Sequence, residues 1–287
     1  MGPPAGRTDA GVEVPFTGSH PAAVLPLLRP LRRLGVPPAA LVVGSLAPDL
    51  PFFVTVTSLT ALTHSTAGVG TIDLVIGAVA YAGWQLVGRP ALGVLLPGRP
   101  APVTGSPAGG RGAAWWRRAL AVALGLVVGA GTHLIWDSFT HAGMWGVRRV
   151  PWLAESFGPL PGYEWAQYAS SLAGLSVLAV RCAPGSSATW SRRTYRAWAF
   201  VIGAALTGAA LGVWAGLGGE PDPIRGGLFL TATRGGLAGL LAVAMIGAKV
   251  ALGGGTEKNV SACNLPAGSA PLTGDNGGGL PGGGGRQ

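Results

Sequence analysis

The chain has 287 residues, of which 48% are hydrophobic and only 11% are charged, and its formal net charge is +9. A soluble globular domain carries about 25% charged residues, so this composition excludes an ordinary soluble domain and is typical of a multi-pass membrane protein. The positive charge does not indicate nucleic-acid binding, because the Arg residues fall in short connections between apolar segments, as the positive-inside rule predicts.

Residues 1–14 form a polar segment rich in Gly and Pro, and we predict that this N-terminus is flexible. Two apolar stretches follow at 22–34 and 39–59, with a turn between them at 35–38. The first stretch is too short to cross a membrane by itself, because a spanning helix needs about 20 residues.

These two stretches predict an N-terminal helical hairpin. The chain leaves His20, turns near Arg32 and Arg33, and returns to Asp49. Pro48 opens the backbone beside Asp49, and irregular backbone at membrane depth is tolerated only where it lines a cavity or is buried in protein. The hairpin therefore predicts that His20 and Asp49 lie at the same level.

Five longer apolar segments are predicted to be membrane-spanning helices. They cover residues 70–87, 117–139, 165–180, 197–217 and 228–252. Together with the hairpin they predict an all-α fold, a polytopic membrane helix bundle of five or six spans over residues 15–252. The remaining residues, 253–287, are polar and Gly-rich, and we predict a disordered tail.

The distribution of Arg predicts an orientation in the membrane. The connections 88–116 and 181–196 are rich in Arg and are expected on the cytoplasmic side, whereas 138–164 and 218–227 carry mixed or acidic charge. We therefore predict a multi-pass protein of the inner membrane with a cytoplasmic C-terminus, whose histidines lie near the outer face.

The chain contains four histidines, and each lies beside Ser or Thr at the edge of an apolar stretch. They are His20, His64, His133 and His141. A single histidine at a helix end is usually only an interfacial residue, but His133, Asp137 and His141 follow the spacing i, i+4, i+8, which places them on one helical face.

Ionisable groups at membrane depth are costly and usually functional. Imidazole and carboxylate are ligands that Zn²⁺ prefers, so the pattern predicts a site for a divalent metal, with zinc as the expected ion. The predicted ligands are His20, Asp49, His64, His133, Asp137 and His141. Asp49 or Asp137 is also the predicted catalytic residue, because a carboxylate not bound to the metal is a candidate general base.

Other polar and aromatic residues have open interpretations. Asp73 either takes part in the site directly or only places a charge in the first turn of its helix. Arg234 either extends to the interface, pairs with a carboxylate or binds an anionic headgroup. Four Trp residues form an interfacial belt or line the opening for a lipid substrate, and three hydroxyls could bond the histidine rings. These are Trp136, Trp145, Trp152 and Trp165, and Ser65, Thr132 and Thr140.

Four motifs in a fixed order resemble the DUF4184 family of bacterial membrane proteins. They are Pro-Phe-Thr-Gly-Ser-His-Pro-Ala-Ala at 15–23, Gly-Ser-Leu-Ala-Pro-Asp at 44–49, Thr-His-Ser at 63–65 and His-Leu-Ile-Trp-Asp-Ser-Phe-Thr-His at 133–141. The order is also similar to the membrane-bound metal-dependent hydrolases of the YdjM (DUF457) type, and more distantly to zinc-dependent phospholipase C and S1/P1 nuclease.

The resemblance implies hydrolysis of a phosphoester at a zinc centre. It implies that His20, Asp49, His64, His133 and Asp137 are ligands and that His141 is a further ligand or a substrate contact. Because Leu50-Pro51-Phe52-Phe53 follows Asp49 without the second acidic residue or histidine of the YdjM type, we expect one or two ions.

The function that these observations favour is metal-dependent hydrolysis of a phospholipid or another membrane-associated ester, with membrane lipid as the partner. The alternative is a transporter or a proton or cation path that uses the same His/Asp cluster. A third interpretation is a scaffold with a structural ion. The sequence does not determine the oligomeric state.

Overall fold

The computed structural model describes five stretches of the chain, and the predicted flexible N-terminus and most of the predicted tail lie outside them. The stretches are residues 17–54, 57–96, 115–182, 190–217 and 223–261. The chain divides into two units, residues 1–251 and 252–287, and the elements that build the site belong to the first.

The N-terminal region folds as the predicted hairpin. Its elements are a 3₁₀ turn at Thr17–Ala22, a second at Leu25–Leu27, helix α1 (Leu28–Arg33), helix α2 (Pro38–Leu46), a 3₁₀ turn at Ala47–Asp49 and helix α3 (Leu50–Phe53). Gly35 makes the bend with φ of +82°, a backbone conformation that favours glycine. Val24, Val36 and Leu41 are buried against one another and hold the two arms together.

The next part of the chain contains two short helical segments and then one long, interrupted helix that begins at Thr66. It contains a 3₁₀ turn at Thr57–Leu59, α4 (Thr60–Thr63), α5 (Thr66–Val69), α6 (Ile72–Gly83), a π turn at Trp84–Gly88 and α7 (Arg89–Leu95). Pro90 accounts for the π turn, because proline has no N–H for the ordinary helical bond and its ring crowds the preceding turn.

The second half of the described chain contains the longest helices. They are α8 (Trp115–Thr140), the short α9 (Trp145–Arg149) and α10 (Pro151–Ala154), the two-residue strands β1 (Ser156–Phe157) and β2 (Leu160–Pro161), α11 (Gly162–Cys182), α12 (Arg192–Leu217) and α13 (Pro223–Ser261). The strands pair as a small antiparallel hairpin. Apart from this hairpin the described chain is helical, as predicted.

Four helices of the described residues are long and apolar enough to cross a membrane. They are Thr66–Leu95, Trp115–Thr140, Arg192–Leu217 and Gly227–Gly253. Each contains one of the predicted spans. Helix α13 continues to Ser261, past the predicted end of its span at residue 252.

The fifth predicted span, residues 165–180, is helix α11, which is not among these four. Its 21 residues are long enough, but polar side chains lower its hydropathy. Glu164, Gln167 and Ser171 are buried on this helix. The helix packs against the first 3₁₀ turn and α8, so its polar residues face the protein.

Helices α12 and α13 pack closely through glycine. A side chain at Gly208 or Gly212 would collide with the backbone of α13 near Arg234 and Leu230. Small residues at such contacts are typical of membrane helices, where close backbone packing replaces the hydrophobic effect. The Arg234 guanidinium donates a hydrogen bond to the carbonyl of Leu211 at 3.0 Å, so this charge is engaged by the neighbouring helix.

The contact between α2 and α8 is the most extensive of the hairpin. Gly125 and Gly129 lie one turn apart on α8, and a Cβ atom at Gly129 would collide with the carbonyl of Leu41 and the amide of Ser45. A Cβ atom at Gly44 would meet the backbone of Leu126. The two backbones therefore touch directly, which fixes the hairpin at one height along α8.

We expect Gly129→Ala to lower the free energy of unfolding by about 1–3 kcal/mol, the usual cost of overpacking, partly offset by the better helix propensity of Ala. Gly131→Ala is the matched control, because a Cβ at Gly131 meets nothing within 4 Å. Thermal unfolding in detergent measures both. Equal melting temperatures for the two variants would contradict this close contact.

Candidate metal centre

Four separate segments carry the predicted site residues to one place. Helix α8 supplies His133 and Asp137 from its last two turns, and the 3₁₀ turn after α2 supplies Asp49. His64 follows the last residue of α4, and His20 lies in the first 3₁₀ turn. The hairpin contact with α8 aligns these segments, because it fixes the height of Asp49 beside His133.

One ligand atom from each of Asp49, His64, His133 and Asp137 lies within 4.8 Å of the other three. We call these four residues the quartet. His133 Nε2 is 3.0 Å from Asp137 Oδ2 and 3.4 Å from Asp49 Oδ1. His64 Nε2 is 3.3 Å from the same Asp49 oxygen and 3.6 Å from the same Asp137 oxygen.

The four His–Asp spacings are close to those around a metal ion. Bonds of about 2.0–2.2 Å in a tetrahedral arrangement place neighbouring ligand atoms about 3.3–3.6 Å apart. The four His–Asp separations of the quartet span 3.0–3.6 Å. Two imidazoles and two carboxylates suit zinc and related divalent ions.

The tautomer of His133 is set by helix α2. His133 Nδ1 lies 2.8 Å from the backbone carbonyl of Ser45, and a carbonyl only accepts, so Nδ1 carries the proton and donates it. Nε2 of the neutral ring then presents a lone pair to the two carboxylates. A backbone carbonyl in this role is a common support for a metal-binding histidine.

His64 is oriented in the same way by its own helix. Its Nδ1 lies 3.2 Å from the carbonyl of Thr60 and 3.0 Å from the hydroxyl of Thr63. In the tautomer that donates from Nδ1 to the Thr60 carbonyl, Nε2 presents its lone pair to Asp49 and Asp137. Both histidines of the quartet therefore direct Nε2 at the same point.

This group of buried charges calls for a compensating positive charge. His133 is fully buried, and its Nε2 makes no hydrogen bond within the described residues although two carboxylates lie beside it. Asp49 and Asp137 are also buried. Two buried carboxylates side by side repel each other, and either a divalent cation or protons on the facing imidazoles would offset their charge.

Asp49 is held by a residue that the sequence did not indicate as part of the site. The Thr17 hydroxyl donates a 2.7 Å hydrogen bond to Asp49 Oδ2, which leaves Oδ1 turned towards His64 and His133. Thr17 lies three residues before His20 in the Phe-Thr-Gly-Ser-His-Pro motif, and this proximity is the sequence feature that could have indicated its role.

His20 and His141 lie beside Asp137 Oδ1, whereas His64 and His133 lie beside Asp137 Oδ2. His20 Nε2 and His141 Nδ1 are each 3.6 Å from Asp137 Oδ1, the oxygen that faces away from the quartet. The ring of His20 also stacks on His133 at a centroid distance of 3.9 Å. The structure thus brings all six predicted residues together, with four around one point and two flanking it.

His20 is neutral in this environment. Burial, together with the neighbouring His133, lowers the pKa of His20 from 6.5 to about 4, although the nearby carboxylates act in the opposite direction. A neutral ring is the form that binds metals or orients a carboxylate without adding a second charge.

The site is least covered at His64 and His141, whose side chains are 15% and 26% exposed. The Gln167 amide lies 3.5 Å from His141 Nε2, so α11 forms the wall on that side. Water or a polar substrate group reaches the quartet most directly past these two histidines.

The remaining polar predictions have mixed outcomes. The Thr140 hydroxyl lies 3.0 Å from His141 Nδ1, as expected of a residue that supports a histidine. Thr132 instead donates to the carbonyl of Gly129, and Ser65 donates to that of Leu62 and caps α5, because each hydroxyl reaches a carbonyl of its own segment. Asp73 is fully buried on α6 outside the quartet.

Comparison with known proteins finds one family. The model of the family described as Domain of unknown function (DUF4184) matches residues 14–247, which include every residue of the site. No curated protein and no solved structure matches the chain.

We expect detergent-purified protein to contain on the order of one zinc ion per chain, and the double variant His133→Ala, Asp137→Ala to contain none, because it removes half of a four-ligand site. Elemental analysis measures the metal content. Thr132→Val is the control on the same helix, since the Thr132 hydroxyl donates to the carbonyl of Gly129 in its own helix. Metal retained by the double variant would show that the ion binds elsewhere.

We expect Thr17→Val to weaken zinc binding by about 10–100-fold, the usual effect of removing a residue that orients a metal ligand. Thr17→Ser keeps the hydroxyl and is expected to bind zinc like the parent protein. Competition with a chromogenic chelator measures both affinities. Equal affinity in the valine and serine variants would mean that the Thr17–Asp49 hydrogen bond does not support the site.

Proposed function

The chain belongs to the DUF4184 family, whose description assigns no function, and from its site we propose that the protein is a membrane-bound, metal-dependent hydrolase. The observation that carries this proposal is the buried quartet, in which two oriented imidazoles and two carboxylates converge on one point. The same four residues would hold the metal, and zinc suits this donor set.

A divalent cation bound here would supply Lewis acidity, which makes water more acidic and polarises an ester or phosphoester group. Asp137 is the better candidate for general base. Its Oδ1 is buried without a hydrogen-bond partner among the described residues, whereas Asp49 Oδ2 already accepts from Thr17. Asp137 would take a proton through Oδ1 while Oδ2 belongs to the quartet.

His141 and His20 would act around this base. Both rings lie 3.6 Å from Asp137 Oδ1, so they can stabilise the carboxylate and receive or relay its proton. His141 is the more exposed of the two and is placed to contact the substrate. The carbon or phosphorus attacked by water, and the oxygen released from it, would then lie between His141 and the quartet.

A membrane lipid or another membrane-associated phosphoester is the substrate that we propose. The quartet lies at the last turns of α8, a helix long and apolar enough to cross a membrane, so a bound substrate would lie near one membrane surface. Arg117 and Arg118 are at the opposite end of the same helix. With the positive-inside rule, this supports a site near the outer face of the inner membrane and a cytoplasmic C-terminus.

A second candidate function is a proton or cation path, and Asp73 is the observation that favours it. Its carboxylate is fully buried within a membrane-spanning segment, and neither oxygen has a hydrogen-bond partner in the described part of the chain. Such intramembrane acids often mark ion pathways. Ion flux in proteoliposomes without substrate turnover would favour this function over hydrolysis.

We expect the zinc-loaded protein in lipid nanodiscs to release products from phospholipid, and Asp137→Asn to lower the rate by about 10²–10⁴-fold, the usual contribution of a general base. Mass spectrometry of the extracted lipids measures turnover, and metal content is measured in parallel. Ser138→Ala, next to Asp137, is the control. Turnover that survives both chelation and the Asp137 variant would exclude this mechanism.

A further inference from the structure

A cavity of about 220 Å³ adjoins the site on the side away from His64. Its walls come from the first 3₁₀ turn and the residue after it, from α8 and from α11. This volume is about seven times the share of one water molecule in the liquid, so the cavity can hold several bonded heavy atoms in a row.

The walls of this cavity are apolar and small. Ala23, Ala173 and Gly174 leave the space open, and Trp136 and Val177 border it. The polar groups of the wall are mostly satisfied, because the Trp136 indole N–H donates to Ser170 at 3.2 Å and Ser170 donates to the carbonyl of Gln167 at 3.1 Å. Such a lining favours a hydrocarbon over water.

His20 forms the inner end of the cavity. Its Nδ1 is buried and has no hydrogen-bond partner within the described residues, while its Nε2 lies 3.6 Å from Asp137. The same ring stacks on His133. His20 therefore borders both the cavity and the residues of the site.

The outer rim of the cavity continues into apolar helix surface. Trp136 and Val177 are 42% and 45% exposed, and Ile135 and Leu172 beside them are more exposed still. In a membrane protein, exposed apolar side chains on such helices face acyl chains. An occupant with a hydrocarbon part can thus reach the cavity sideways from the membrane.

We propose that this cavity binds one acyl chain of a membrane lipid and places the lipid's polar linkage beside His20, next to the quartet. The proposal rests on the proposed function and specifies its substrate class as an acylated lipid rather than a water-soluble phosphoester. His20 then has two roles, since its Nε2 faces Asp137 and its ring lines the cavity that holds the lipid. The cavity beside α11 then selects the lipid, and water enters the site past His64.

The test uses full-length, zinc-loaded protein in nanodiscs that contain phosphatidylglycerol with a photoactivatable diazirine on its acyl chain. After irradiation, peptide mass spectrometry locates the labelled residues. We expect enrichment at Ala23 and Val177, which line the cavity from different segments of the chain. Ala173→Leu fills the cavity and is expected to reduce the label at Ala23 by at least about tenfold, the change produced by a modest loss of binding free energy.

Ala179→Leu is the matched control, because Ala179 is exposed on the same helix and does not line the cavity. Metal content and thermal unfolding show whether each variant is folded. If Ala173→Leu does not fold, Ala23→Leu fills the cavity from the other wall, and the label is read at Val177. Equal labelling in the filled and control variants, or label spread evenly over exposed residues of α8 and α11, would overturn the proposal.

The experiment distinguishes failure of the acyl-chain site from failure of the hydrolase activity. Labelling does not require turnover, so cavity labelling without hydrolysis would keep the lipid site and remove the hydrolase. Phospholipid hydrolysis that Ala173→Leu leaves unchanged would keep the hydrolase and remove the acyl-chain site.

Discussion

The hydrogen bond from His133 Nδ1 to the carbonyl of Ser45 ties the site to the fold. It forms only because glycines let α2 and α8 touch backbone to backbone, at Gly44 on one helix and Gly129 on the other. The same contact sets the tautomer of His133 and the height of Asp49. A change in the packing of α2 on α8 would therefore also change the orientation of His133.

Electrostatics explains what the cluster can bind. Asp49 and Asp137 are buried side by side, and the Nε2 atoms of His64 and His133 face them. Burying such carboxylates without a compensating charge is strongly unfavourable. A divalent cation held by the quartet would supply that charge, and the imidazoles would then serve as neutral ligands.

The two sides of the site differ in character. On one side, His64 and His141 remain partly exposed, and Gln167 provides a polar wall. On the other, His20 closes an apolar cavity that is continuous with exposed helix surface. The proposed reaction between water and a lipid would use this division, because the two reactants come from different phases.

Helix α11 shows what a hydropathy pattern leaves out. The sequence predicts a span at 165–180, and the structure forms a helix there, Gly162–Cys182, whose polar residues Glu164, Gln167 and Ser171 are buried. Gln167 lies beside His141, and the helix packs against the first 3₁₀ turn and α8. A hydropathy pattern records how apolar a segment is, and it does not record which side of a helix faces the protein.

The sequence by itself determined the helical membrane character, the N-terminal hairpin and the six His and Asp residues of the candidate site. These follow from local properties: apolar run length, the Gly and Pro positions at the turn, and the scarcity of ionisable groups. Only the tertiary structure decided that four residues form the quartet while His20 and His141 flank it. Only the structure identified Thr17 and the Ser45 carbonyl as supports, because distances between segments far apart in the chain depend on how closely α2 and α8 approach.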